Sequence, residues 1–150
     1  NKSNDEFSEP IIVDRINYSK TLEKYKSSFN QIDLTSRNRI RPLLKRAAIN
    51  YLTSLKKVDV IININIFVEV LENNQFLDRI CITNGGKIDF DISPLENYCL
   101  FKMDLKLFLN IMLGLISWNN IESSALIGVS RNPDEYIPDV HSTMTFFRLC

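Results

Sequence analysis

The chain contains one histidine, His141, and three cysteines, Cys81, Cys99 and Cys150. Zinc and similar metals need several Cys, His or carboxylate ligands close together. The sequence offers no Cys-x-x-Cys and no His-x-His spacing, so no metal centre is expected. Nucleophilic catalysis needs a nucleophile, a base and an orienting group that converge. His141 is the only imidazole available as the base, and it reads as a surface or capping residue near the start of a helix. Gly-x-Ser-x-Gly is absent, Cys150 is the last residue, and Cys99 falls in a strand pattern. Asp89 and Asp91 share the polar face of an alternating strand, and Asp134/Glu135 are adjacent. Both pairs read as solvated carboxylates rather than acid–base machinery, which needs a cleft and shifted pKa values. Asn84-Gly85-Gly86 lacks the Lys-Ser/Thr of a phosphate loop and is read as a turn. No catalytic residue and no cofactor are expected.

Two constellations remain. Arg37, Arg39, Arg41, Lys45, Arg46, Lys56 and Lys57 occur with no acid between Asp33 and Asp59. A basic helix can hold phosphates. Aromatics are not interleaved except for Tyr51, which falls on the apolar stripe, so a solvated face or a domain contact outweighs nucleic-acid binding. The second constellation is apolar. Phe101, Met103, Phe108, Met112, Phe146 and Phe147 could line a ligand cavity between a sheet and a helix. Simple close packing is the competing reading and is the more ordinary use of Phe and Met.

The elements that would position these residues follow from periodicity. A helix is expected over roughly 18–30. A second is expected from near Pro42, with Leu43, Leu44, Ala47, Ala48, Tyr51, Leu52 and Leu55 on one stripe and Lys45 and Arg46 opposite. Val58, Val60, Ile62, Ile64, Ile66, Val68 and Val70 alternate strictly and predict one long strand. Asn73-Asn74 turns the chain into a strand at 76–83. Ile88, Phe90 and Ile92 form a third strand, and 98–103 a fourth, giving an antiparallel meander. Asp104 is placed to cap an apolar helix over 105–115. A strand is expected over 124–131, and a last helix is capped by Asp139. Strands grouped apart from helices imply an α+β fold, an antiparallel sheet packed against helices.

Bulk composition agrees. The chain has 150 residues, 45% hydrophobic and 24% charged, with a net charge of +0. It is read as a single domain, with 1–35 a helix or linker segment and 36–150 the core. Zero net charge gives no global attraction to nucleic acid or anionic lipid. The apolar runs are too interrupted to span a bilayer. Cys81 and Cys99 could sit on nearby strands and form one bridge, but reduced thiols in a cytoplasmic protein are favoured. The chain begins at Asn1 without a signal-peptide pattern, so a piece of a longer protein is expected.

The C-terminal half carries a recurring pattern: Tyr98-Cys99-Leu100, the helix from Leu105 to Gly114, Trp118, Ser124, and Arg131-Asn132-Pro133-Asp134-Glu135-Tyr136. It resembles the C-terminal extension of metallo-β-lactamase-fold proteins, some of which carry Rieske domains, like the sialic acid hydroxylase group. That extension is similar to the sterol carrier protein fold. The resemblance spans about 41–147, and Arg-x-Pro-Asp-x-Tyr is its most specific part. The His-x-His-x-Asp-His motif of the catalytic half is absent. The resemblance therefore implies a non-catalytic accessory domain that binds a hydrophobic small molecule or lipid, or packs on a metallo-hydrolase of the same polypeptide or a partner. Trp118, Arg131, Pro133, Asp134 and Tyr136 are expected to form a structural clasp. The alternative is a protein- or nucleic-acid-interaction module built on the basic helix over 37–57.

Overall fold

The aliphatic run from Val58 divides in two. In the computed structural model, which describes residues 37–149, strand β1 covers only Asn65–Glu72. The expected helix at 18–30 lies outside the described residues. Residues 58–64 are not strand because the preceding helix uses them for its exit. Helix α1, Arg37–Lys57, ends with Asp59 in the left-handed region at φ 54. The Val60 N–H then closes back onto the Leu55 carbonyl at 3.1 Å. This six-to-one bond satisfies an orphan helix carbonyl, and it carries an aliphatic pair, Leu55 and Val60, at the two positions that usually touch. Alternation in sequence therefore ran across a helix cap.

Pro42 sits inside α1 rather than in its first turn. Proline there costs the Asn38 carbonyl its intrahelical partner, and Asn38 is exposed, so water can serve it. Beyond it the stripe behaves as expected. Ile40, Leu44, Ala47, Ala48, Tyr51 and Leu55 are buried, while Lys45 and Arg46 are exposed.

β1 leads into β2, Gln75–Ile82, through Asn73 and Asn74, both at positive φ. Two left-handed residues match the right-handed twist of an antiparallel hairpin. β3 is only Ile88–Asp89, so the expected strand through Phe90 and Ile92 stops early. β4 spans Tyr98–Asp104 and β5 spans Gly128–Asn132. The five-stranded order is β3-β2-β1-β4-β5. β4 pairs with β1 in parallel, Asn65 opposite Tyr98, while the other pairs are antiparallel. The sheet is thus mixed, and the expected all-antiparallel meander is corrected at this one pair. The cause is the connection after β3, which crosses to the far side of β1 and so delivers β4 in the same direction. Arg79 marks the crossing, its guanidinium donating to the Ile92 carbonyl and the Ser93 hydroxyl, each at 3.5 Å. The α+β class holds.

Successive strand residues face opposite sides. Ile66, Val68 and Val70 of β1, with Cys99, Phe101 and Met103 of β4, are buried. Their neighbours Phe67 and Glu69 on the other face are buried too. There Glu69 is held by Arg79 at 3.2 Å and Lys102 at 3.1 Å. Cys81 lies opposite Phe67 and Cys99 opposite Ile66. The two thiols therefore point to opposite faces with a strand between them. Both are free, and the bridge weighed from sequence is excluded by geometry.

Helix α2, Leu105–Met112, is capped by Asp104, whose carboxylate accepts from the Lys106 N–H at 2.8 Å. Gly114, at φ 70, takes the chain out. Helix α3, Trp118–Ser123, starts at Ser117, whose hydroxyl accepts from Asn120 N–H. Periodicity alone does not mark this short segment as a helix. Helix α4, Pro138–Thr143, runs into a 3-10 turn, Met144–Phe146. Its N-cap is Ile137, and Asp139 sits in its first turn instead of capping it.

Candidate functional site

Where the chain leaves α1, an aliphatic groove of about 290 Å³ opens. One wall is the last turns of α1, with Tyr51, Leu52 and Leu55. The floor is the exit segment and the start of β1, with Val60, Ile62, Ile64 and Ile66. The far wall is Ile82 and the turn at 83–86. Gly86 adopts φ 74, and a Cβ there would meet Leu52 Cδ2 at 3.8 Å. The turn thus packs close to α1 at the groove's edge. Polar groups are sparse at the rim: Lys56, Thr83 and Asn84. Small-molecule sites have this composition, apolar walls with few polar groups. Only half of the alternating aliphatic run is strand, and its non-strand half supplies the floor.

Of the six residues expected to line a cavity, five lie together in the buried core and none borders this groove. Phe101, Met103, Phe108, Met112 and Phe147 are each 0–2% exposed. Trp118 meets Phe101 and Phe147 edge-on at 5.6 and 6.2 Å. Phe146 is separate. It is half-buried and borders a second, more polar depression with Asn50, Thr53, Lys57 and Arg148.

Of the residues expected to form a clasp, Tyr136 packs on His141, Arg131 reaches Tyr136 and Asp134, and Trp118 is tied to Phe147 instead. Far from being a surface or capping residue, His141 is 8% exposed and lies in the last turn of α4. Its Nδ1 is 3.0 Å from Glu122 Oε1. A carboxylate can only accept, so Nδ1 carries the proton, and the buried Nε2 is left without a hydrogen-bond partner. Tyr136 stacks on the imidazole at 4.6 Å, and Phe101 meets its edge at 5.5 Å. Arg131 lies 6.0 Å over the Tyr136 ring and 3.7 Å from Asp134. Pro133 follows Asn132 in the same exposed turn. Trp118 donates its indole N–H to the Phe147 carbonyl at 3.0 Å. Tyr51 adds another fastening. Thr143 gives its proton to the Asp139 carbonyl at 2.6 Å, so the Tyr51 hydroxyl donates to Thr143 at 2.9 Å.

Burial governs the nearby acids. Desolvation pushes the Cys99 thiol up to about 12, with Arg131 pulling weakly the other way. It pushes Cys81 to about 11 and Tyr51 to about 12. A thiolate is the reactive form of cysteine, so neither buried thiol is activated.

The basic helix is partly spent. Arg41 donates from Nε and Nη2 to the two Asp78 oxygens, each at 3.0 Å, and its guanidinium lies 4.4 Å over Phe90. Asp78 is fully buried, so this pair fixes α1 to β2. Arg39 also has an interaction partner. Lys45 and Arg46 remain on the exposed side, and the side chain of Arg37 is outside the described set. Among the described residues, no group of three or more potential metal ligands comes together. No helix among them is long and apolar enough to cross a membrane.

No family model and no curated protein matches the sequence. Solved structures do match its fold. Sterol carrier protein 2 from Aedes aegypti, solved in complex with the C16 fatty acid palmitate, superposes with a TM-score of 0.50 at 9% identity. That match covers 70% of this chain and 89% of that one. Sterol carrier protein-2 like-3 from the same mosquito gives 0.49 at 11% identity, over 71% and 93% of the two chains. Sterol carrier protein 2 from Yarrowia lipolytica, in its apo form, gives 0.48 at 12% identity, over 69% and 93%. At such identities the likeness concerns fold alone: this chain has a sterol-carrier-protein-like α+β fold.

Proposed function

We propose that the chain is a non-catalytic domain that binds the aliphatic part of a lipid-like molecule in the groove between α1 and the segment 60–66. The observation that carries this reading is an open, aliphatic-lined groove between the end of α1 and the segment 60–66. A fold-mate solved with palmitate supports the ligand class. The packed aromatic cluster then serves as a rigid backing for the sheet rather than as the ligand chamber. Association with a metallo-hydrolase domain is the wider form of this proposal. It rests on the Arg131–Tyr136 pattern. The rival reading, nucleic-acid binding by the basic helix, is weakened because Arg41 is committed to Asp78.

A fluorescent fatty-acid titration tests the groove. Ile62→Glu puts a charge on its half-buried floor, and we expect affinity to fall about tenfold or more, since an unpaired charge resists desolvation. Circular dichroism and the melting curve should stay close to the parent. The proposal is overturned if the parent takes up no fatty acid, or if folded Ile62→Glu binds it equally well.

A further inference from the structure

The rim of the groove has a feature that ligand binding alone does not require. Within the exit segment, Val60, Ile61 and Ile62 all border the groove, yet Ile61 is 76% exposed at its rim, and Val58, outside the lining, is 49% exposed. Isolated exposed aliphatics are ordinary. Here two of them share a four-residue tip, and the backbone of that tip is pinned by the Val60-to-Leu55 bond and the left-handed Asp59. Two exposed lysines, Lys56 and Lys57, end α1 beside it, and a third, Lys87, follows Gly86 in the turn on the groove's far side. Asp59 is the one acid in the segment 56–61. The tip thus joins protruding aliphatics to a local positive excess, on a chain whose net charge is zero.

We propose that the 56–61 tip, with Lys87, docks the mouth of the groove on an anionic lipid bilayer. Val58 and Ile61 would enter the interfacial region while the lysines lie level with acidic headgroups. Long lysine stems can place their charge there while covering apolar surface. A lysine near an acidic membrane surface changes affinity roughly fivefold, so two lost lysines and one lost aliphatic amount to a large effect. Such docking would let a lipid pass between bilayer and groove without crossing water. The inference rests on the lipid-binding reading for its purpose but not for its test.

The test is co-sedimentation of the full 150-residue chain with phosphatidylcholine vesicles, with and without phosphatidylserine. The variant is Lys57→Glu/Val58→Ser/Lys87→Glu, which spares the residues assigned to the groove. We expect the parent to bind the phosphatidylserine vesicles, to release as salt rises, and to bind pure phosphatidylcholine weakly. The variant should lose at least about tenfold of the vesicle affinity and keep its fatty-acid affinity. Ile61→Ser alone should give a smaller loss. The proposal is overturned if the parent ignores acidic vesicles, or if the triple variant binds them as the parent does. Tip-dependent vesicle binding without any fatty-acid uptake would support the docking tip and reject the groove's cargo.

Discussion

The two ends of the core face are both lined by hydrocarbon but finished differently. Under α2, α3 and α4 the face is sealed by rings, Phe101, Trp118, Phe108 and Phe147. These are fastened by polar bonds from Trp118, His141 and Tyr51. Under the end of α1, Ile64 and the sheet residues Ile66 and Ile82 face a groove, and among the described residues that line it Tyr51 is the one aromatic. Aromatic side chains fill large volumes and carry polar handles that can be tied down. Aliphatic side chains offer no such anchor. The contrast teaches that closure in this molecule is a matter of fastening as much as of hydrophobicity.

Opening the sealed end is the harshest test of that contrast. Trp118→Ala should cost about 3–5 kcal/mol, from lost packing and an orphaned Phe147 carbonyl, read by chemical denaturation. A loss below about 1 kcal/mol would mean the ring cluster seals little. Detaching α1 from β2 attacks the open end instead. Arg41→Ala removes the bidentate partner of the fully buried Asp78, which keeps the Arg79 N–H, and should cost about 1–2 kcal/mol. It should also weaken fatty-acid binding, because α1 forms one wall of the groove.

Alkaline pH sharpens the comparison without mutation. The Cys99 and Tyr51 acids at the sealed end, and Cys81 on the opposite face, keep their protons when folded to about 12, 12 and 11. The unfolded chain loses them from 9.0 for the thiols and 10.0 for the phenol. The folded state then binds more protons than the unfolded one, so stability is intact below pH 9.0 and falls as pH rises towards 12. The loss is on the order of 1 kcal/mol per thiol one unit above its unfolded value. Melting curves that stay flat through this window would contradict the assignment. The smallest effect belongs to the rim. Asp59→Gly relieves a left-handed aspartate and should stabilise by about 0.5–1 kcal/mol. Fatty-acid affinity should be unchanged.

Much of the frame could be read from residue order. β2, β4, the stripe of α1 and the Asp104-capped helix answer to simple periodicities and one capping rule. What failed was wherever two rules met. Val58, Val60 and Ile62 obey the strand alternation, but a helix cap had a prior claim on that backbone. Trp118-Asn119-Asn120 contains no strong helix former, and only the Ser117 cap marks the start of that helix. His141 looked superficial because its partners, Glu122 and Tyr136, are brought to it only by folding. The parallel pairing of β1 with β4 has no local signature at all. The aliphatic groove beside α1 has no local signature either. The sequence marks large apolar residues, and those are the ones best able to fill space. The groove is left where shorter aliphatics face one another across a turn.

The crossing between β3 and β4 has a consequence for how the molecule assembles. β1 and β2 are joined by a two-residue turn and can zip together early, but the other edge of β1 finds its mate only when Tyr98–Asp104 arrives. Non-local pairings of this kind set the pace of folding. Until that moment Ile66, Val68 and Val70 stand along a bare strand edge, the sort of template that recruits other unfolded chains. The most vulnerable interval in the life of this protein would then be the wait for its fourth strand.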